Sequence, residues 1–332
     1  MFRKIMSVLT TWKNNPQHMP LLFRGARQVG KTHVIRELGK QFENFVEINF
    51  EQRPDVAKYF SEETQLIPQK IIDRLEIILD VPIVPRKTLL FLDEIQECPQ
   101  AILALRYFKE QMPDLHVIGA GSLLEFVLND AHFSFPVGRI QFVYVKPLSF
   151  EEFLEAIAPK LRGYLNTVEL SKPHDDVIHQ QLLAFMRTYL MVGGMPAVIS
   201  AYLQTKRMKT AQETQEVLIS TFRQDFGKYA SKSEYKYLQT IFDKIPGLLA
   251  QTLKYTTIEA DAPSRNIKHG VEQLCDAGLV QKVFCTHASG LPLMAGVNDK
   301  KFKPLFLDFI FFFWKTLLSW KFRKQQETKP IF

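Results

Sequence analysis

Gly25-Ala26-Arg27-Gln28-Val29-Gly30-Lys31-Thr32 fills every fixed position of the pattern G-x-x-x-x-G-K-[ST]. Residues of these types at this spacing bind phosphate. The two glycines let the chain turn where a side chain would collide, while main-chain N–H groups and a following helix N-terminus offer donors to several negative charges. Lys31 adds a point charge that reaches the outer phosphates, and the Thr32 hydroxyl suits a magnesium ion that keeps most of its waters. Asp93 and Glu94 follow 61 residues past Thr32, at the end of the apolar run Leu89-Leu90-Phe91-Leu92. Two carboxylates at the end of a buried strand can divide two tasks, Asp93 holding the magnesium through water and Glu94 polarising an attacking water. Alone, the pair reads as a strand followed by a helix-capping acid; the phosphate loop favours the chemical reading.

Apolar spacing outlines the elements that hold these residues. Helices are expected over Phe2–Trp12, Thr32–Phe42, Ile67–Leu79 and Ala101–Gln111, and strands over Pro20–Phe23, Asn44–Phe50, Lys87–Leu92, Leu115–Gly119 and Ile140–Val145. Such alternation predicts an α/β class: a P-loop NTPase core over residues 1–149, a parallel sheet with helices on both faces. Two more candidates lie here. Ser122, just beyond a strand, is placed to sense a γ-phosphate, and its plain alternative is a turn serine. Arg139 is either an arginine finger completing a neighbouring subunit's site or a solvated arginine before a strand.

The character changes at Ser149, which opens an S-x-x-E capping box with Glu152. Helical segments dominate residues 150–235, expected to form a helical lid punctuated by the turn Gly193-Gly194-Met195-Pro196. Residues 236–302 carry helical patterns at Tyr237–Leu249, Leu253–Ile258 and Ser264–Ala277, then strand-like runs at Leu279–Cys285 and Leu291–Gly296. This is the outline of a winged helix-turn-helix domain. Its third helix carries Arg265 and Lys268 near its start as candidate nucleic-acid contacts, but Glu272 and Asp276 on the exposed face repel phosphates. DNA contact therefore stands beside an intramolecular spacer or a protein-docking role.

The chain has 332 residues, 46% hydrophobic and 23% charged, an ordinary globular composition long enough for two or three domains. Cys98, Cys275 and Cys285 are too few and scattered for a disulfide framework or a zinc cluster. The net charge of +7 is uneven: residues 301–332 hold seven basic against two acidic side chains, so +5 lies in the tail and +2 in the rest. That weakens any inference of whole-protein steering toward DNA. The opening residues lack a secretory pattern, and Leu305–Trp314 is only ten residues long and contains Asp308. A cytoplasmic protein without a membrane span is expected.

With these residues assembled, the chain resembles bacterial and archaeal ATPases of the AAA superfamily. The resemblance rests on Arg24–Thr32, Leu92-Asp93-Glu94-Ile95-Gln96, Gly121-Ser122, Pro147–Phe150, Gly193–Pro196 and Asp225-Phe226-Gly227-Lys228-Tyr229, in order over roughly residues 1–308. It implies ATP rather than GTP, slow hydrolysis with Mg2+, and a core followed by a winged helix. Similar proteins usually continue into a C-terminal domain resembling restriction-type nucleases. Here Lys303–Asp308 reads as the first strand of that domain, while Phe309–Phe332 departs from the pattern, so residues 303–332 are expected to be its truncated or frameshifted remnant. The leading expectation is an ATP-dependent molecular switch or remodelling ATPase whose partners are ATP and either a second copy of itself or another protein. The alternatives are a nucleotide-gated DNA-binding or docking module with vestigial hydrolysis, or a non-functional remnant.

Overall fold

An apolar run without alternation, such as Leu89-Leu90-Phe91-Leu92, is stable as a strand only when covered on both faces. In the computed structural model all six residues of its strand, Thr88–Asp93, are buried. The structure describes residues 1–311 except 62–64, 123, 129–137, 170, 172–174, 249–250, 260–261, 288–289 and 291–295. The tail beyond Phe311, and with it most of the departing segment, lies outside the described residues.

Two compact units divide the chain, Phe2–Lys146 and the residues from Pro147 onward. The first runs α1 (Ile5–Asn14), β1 (Leu21–Arg24), α2 (Lys31–Gly39), β2 (Asn44–Asn49), α3 (Pro54–Ala57), α4 (Pro68–Leu79), β3 (Thr88–Asp93), α5 (Pro99–Gln111), β4 (His116–Ala120), α6 (Leu124–Leu128) and β5 (Gln141–Tyr144). Its five strands form one sheet in the order β2-β3-β4-β1-β5. Every pairing is parallel, with Leu21 opposite Ile118 and Gln141, and Asn49 opposite Asp93. One core cluster joins Leu90 and Leu92 of β3 to Ile71, Ile72 and Leu75 of α4 and Ala101, Leu105 and Phe108 of α5. Each such leucine contributes about 1.5–3 kcal/mol on burial.

Strand order puts β4 between β1 and β3, so the strand leading to the phosphate loop and the strand ending in Asp93 are separated by roughly two strand spacings, about 10 Å. The residue following β4 and the loop following β1 therefore face the same carboxyl edge as Asp93. Arg3 braces this edge from the chain's start: its guanidinium, 6% exposed, donates to the carbonyls of Val29 (2.9 Å) and Lys146 (2.6 Å).

The second unit continues with α7 (Phe150–Ile157), α8 (Pro159–Leu165), α9 (Asp176–Val192), α10 (Pro196–Thr205), α11 (Met208–Tyr229), α12 (Lys232–Lys244), α13 (Tyr255–Ile258), α14 (Ser264–Asp276), β6 (Val280–Thr286) and β7 (Val297–Phe306). The capping box at Ser149 forms: Glu152 N–H donates to Ser149 Oγ and Ser149 N–H to Glu152 Oε2. β6 and β7 pair antiparallel, Val280 opposite Phe306 and Thr286 opposite Val297, with a register shift at Phe284 and Cys285.

That pairing corrects one expectation, and another falls outside the described residues. The second strand of the hairpin begins at Val297, while residues 291–295 of the expected Leu291–Gly296 strand lie outside the described residues. Lys303–Phe306, expected to open a C-terminal domain, is instead the far half of β7, paired with Val280–Val283. Asp308 belongs to this unit too. Its carboxylate, 7% exposed, accepts from Gly194 N–H (2.7 Å) and Ile310 N–H (3.0 Å), and burial pushes its pKa up to about 6. Gly193 has φ +78°, and a Cβ there would meet Asp308 Oδ1 at 2.2 Å, which explains the glycine.

Candidate functional site

The site assembles at the carboxyl edge of the sheet, starting from β1. Gly25 has φ +139°, and a Cβ on it would lie 2.2 Å from Val145 O, so no side chain fits where the loop leaves the strand. Gln28 (φ 63°) and Gly30 (φ 93°) complete a left-handed path that ends in α2 at Lys31. The first amides of a helix have no intrahelical acceptor, so the loop delivers a helix start to whatever lies above it.

Lys31 is 8% exposed and its ammonium donates to the carbonyls of Gly25 (2.8 Å) and Ala26 (2.9 Å). Burial lowers its pKa to about 8, against the opposing pull of Glu94 and Asp93, and Arg27 adds a smaller push downward. The residue is thus a desolvated cation with neutral partners, the state in which a polyanion gains most from it.

Thr32 Oγ1 lies 3.4 and 3.5 Å from the two carboxylate oxygens of Asp93, at the long limit of a hydrogen bond. Asp93 also accepts from Asn49 Nδ2 at 3.3 Å. Burial first, and then the neighbouring Glu94, raise its pKa above the usual carboxylate range. A hydroxyl and an under-compensated buried carboxylate converging at this spacing fit a hard cation such as Mg2+. Among the described residues no group of three or more His, Cys, Asp and Glu could hold a metal by itself. An ion held by only a hydroxyl and one carboxylate would take most of its oxygens from phosphate and water.

Glu94 follows β3 in the left-handed region, φ 46° and ψ 47°, and its Oε2 accepts from Gln96 Nε2 at 2.7 Å. Ser122, buried, follows β4 and so sits at the carboxyl edge between the loop and Glu94. Arg24, which precedes the loop, pairs with Glu125 of α6 and stacks on Phe142 (4.6 Å) and Tyr144 (5.2 Å), tying the segment after Ser122 to the base of the loop.

Arg139 is not brought here. It precedes β5, and in a parallel sheet the residue before a strand lies at the amino edge; it is exposed and pairs with Glu110 at 3.3 Å. In the second unit Arg265 and Lys268 are exposed on α14. Glu272, expected to repel phosphates there, is ion-paired with Lys282 of β6. Residues that sequence reasoning missed are Arg3, Asn49 and Gln96. Asn49 carried a local signal, since it ends a strand as Asp93 does; Arg3 carried none, because its partners are 26 and 143 residues away.

The sheet order, the glycine-bounded loop opening α2, the buried Lys31 and Asp93 and the partly buried Thr32 together define a P-loop nucleoside triphosphatase fold. Comparison supplies the narrower class: residues 17–154 match the family profile described as AAA domain, and residues 184–312 match a domain of unknown function, DUF8612. The AAA-domain match thus spans most of the first unit. No curated protein matches the chain. Among solved structures, the Walker-type ATPase paby2304 of Pyrococcus abyssi superposes with a TM-score of 0.56 at 16% identity, over 95% of each chain. The likeness is one of fold. The Holliday junction branch migration motor RuvB of Thermotoga maritima (18% identity, 84% of this chain and 88% of that one) reaches a TM-score of 0.35. The Orc1 protein of Aeropyrum pernix in complex with DNA (13% identity, 97% and 92%) also reaches 0.35, and at that level neither bears on function. No helix among the described residues is long and apolar enough to cross a membrane.

Proposed function

We propose that this chain is a Mg2+-dependent ATP hydrolase working as a molecular switch or remodeller. The observation that carries the reading is the convergence of Lys31, Thr32, Asp93 and Glu94 on one sheet edge, with Thr32 and Asp93 3.4 Å apart. Lys31 and the amides of Gly25–Thr32 hold the phosphates. Thr32 and Asp93 hold Mg2+, which when bound neutralises charge building on the phosphate oxygens. Glu94 takes a proton from a water whose oxygen bonds to the γ-phosphorus as the bond to ADP breaks, and Ser122 reports the γ-phosphate from the end of β4. Residues 236–302 are read as a winged helix, and residues 150–235 before them as a helical lid.

Mg2+-dependent ATP hydrolysis by the wild type, Lys31→Ala and Glu94→Gln across protein concentration tests this. Glu94→Gln should lower turnover by about 10²–10⁴-fold while ATP binding persists, and Lys31→Ala should lose binding. A rate per subunit that rises with concentration would support assembly with Arg139 acting in a neighbour; a constant rate would remove that role. A second reading, DNA contact through α14, draws support from the exposed Arg265 and Lys268 and from the pairing of Glu272 with Lys282. Salt-dependent duplex binding that is lost in the Arg265→Ala, Lys268→Ala double variant would favour it.

A further inference from the structure

Gln96 is a polar residue beside the reacting centre to which the reaction above gives no part. It lies in the tight turn Ile95–Glu97 directly after Glu94, and its Nε2 donates to Glu94 Oε2 at 2.7 Å. The other end of the amide, Oε1, is buried with no hydrogen-bond partner among the described residues. The orientation of that amide is set by chemistry. Turned over, its oxygen would face a carboxylate oxygen, acceptor against acceptor.

Oε1 is packed against the backbone of Gly121. A Cβ at residue 121 would lie 2.1 Å from it, so the amide uses the room that glycine leaves at the end of β4, one residue before Ser122. The φ of Gly121 lies outside the left-handed range, so the glycine is there for this close approach. Gln96 is therefore held at both ends, by Glu94 on one side and by the β4 terminus on the other. A buried amide oxygen without a donor is an unfavourable arrangement that stability alone does not explain.

We propose that Gln96 is a positioning residue for Glu94: by donating to one carboxylate oxygen while wedged against Gly121, it fixes the other oxygen at the angle from which it takes the proton of the attacking water. This rests on the ATP hydrolase reading. A carboxylate on an unsupported side chain rotates freely about its terminal torsion, and a small misplacement of a reacting group costs up to about a hundredfold in rate. The wedge also ties that angle to the position of β4, and hence to Ser122.

Two variants test it. Gln96→Leu removes the donor at nearly constant volume. Gly121→Ala leaves Gln96 in place but pushes its amide off the backbone; the atom met at 2.1 Å is the end of a flexible side chain, while Leu124 Cγ at 3.0 Å must give by a few tenths of an ångström, so the melting temperature of this variant is read beside its kinetics. Both should lower kcat by about 10- to 100-fold with KM unchanged. Affinity for ADP and for a non-hydrolysable ATP analogue should stay at the wild-type value, while affinity for ADP with aluminium fluoride, which mimics the transferring phosphoryl group, should fall. Adding Gln96→Leu to Glu94→Gln should slow the enzyme no further than Glu94→Gln alone. Unchanged kcat in Gln96→Leu beside an active wild type would overturn the proposal. A parallel loss of nucleotide affinity and melting temperature would also overturn it, showing Gln96 to be structural. A wild type that binds ATP without turnover is the distinct outcome that removes the hydrolase reading, and the proposal with it.

Discussion

The two edges of the five-stranded sheet both bury ionisable side chains and treat them in opposite ways. At the carboxyl edge Lys31 is desolvated against main-chain carbonyls, and Asp93 is raised above its ordinary acidity range by burial and by Glu94. At the amino edge His18 and His116 stack with ring centroids 3.8 Å apart, edge-on to Trp12, and His116 Nε2 bonds the Lys13 carbonyl at 2.9 Å. Burial, and then His18, push the His116 pKa down to about 4, so it is neutral in the fold. Charge is thus kept where a polyanion can answer it and discharged where the only task is to fasten α1 to the sheet.

The harshest break of this contrast is Gly25→Ala. A Cβ there meets Val145 O at 2.2 Å in a backbone conformation that disfavours side chains, so the loop cannot leave β1 as it does. Nucleotide binding should be lost, as read by fluorescent-nucleotide titration, while a folded protein with normal binding would show that the carboxyl edge tolerates what its geometry forbids. Next in size is a pH effect. Free Lys31 titrates near 8, and phosphates bound beside it raise that value, so binding takes up a proton above pH 8. Affinity should fall by about tenfold per pH unit above 8, with proton uptake visible calorimetrically in buffers of different ionisation enthalpy. The smallest effect on nucleotide handling, none, is expected from His116→Leu. Its signature lies in stability instead. Because the folded pKa is depressed from 6.5 to about 4, wild-type stability is retained above pH 6.5 and lost as pH falls toward 4. That loss is of order 3 kcal/mol and should be absent in the variant; denaturant titrations at pH 7 and pH 4.5 read it.

The loop and the Asp93 strand were legible because their signals are local: a fixed glycine spacing, and an apolar run too uniform to be half-exposed. Ser122 was legible as a strand end. What failed was pairing over distance. Lys303–Phe306 reads as a strand in either register of thought, and nothing within it says that its partner is Val280–Val283 rather than a further sheet. The turn at Gly193-Gly194 was visible, but its reason, a carboxylate delivered from Asp308, comes from more than a hundred residues away. Arg139 shows a signal available and unused, since preceding a parallel strand already assigns it to the amino edge. Ordinary propensity cannot supply such facts, because they are set by which segments meet and not by what each prefers.

Arg3 adds a constraint in time. It joins Val29 of the phosphate loop to Lys146, the last residue of its unit, and β1 itself lies between β4 and β5 in the sheet. On a ribosome adding about 5–20 residues per second, the loop emerges roughly 6–25 s before the strand that completes its support. The glycine-rich segment is therefore made early and shaped late. A nascent chain shorter than Lys146 carries the whole phosphate-binding motif but lacks one of the two carbonyls that hold Arg3 against it.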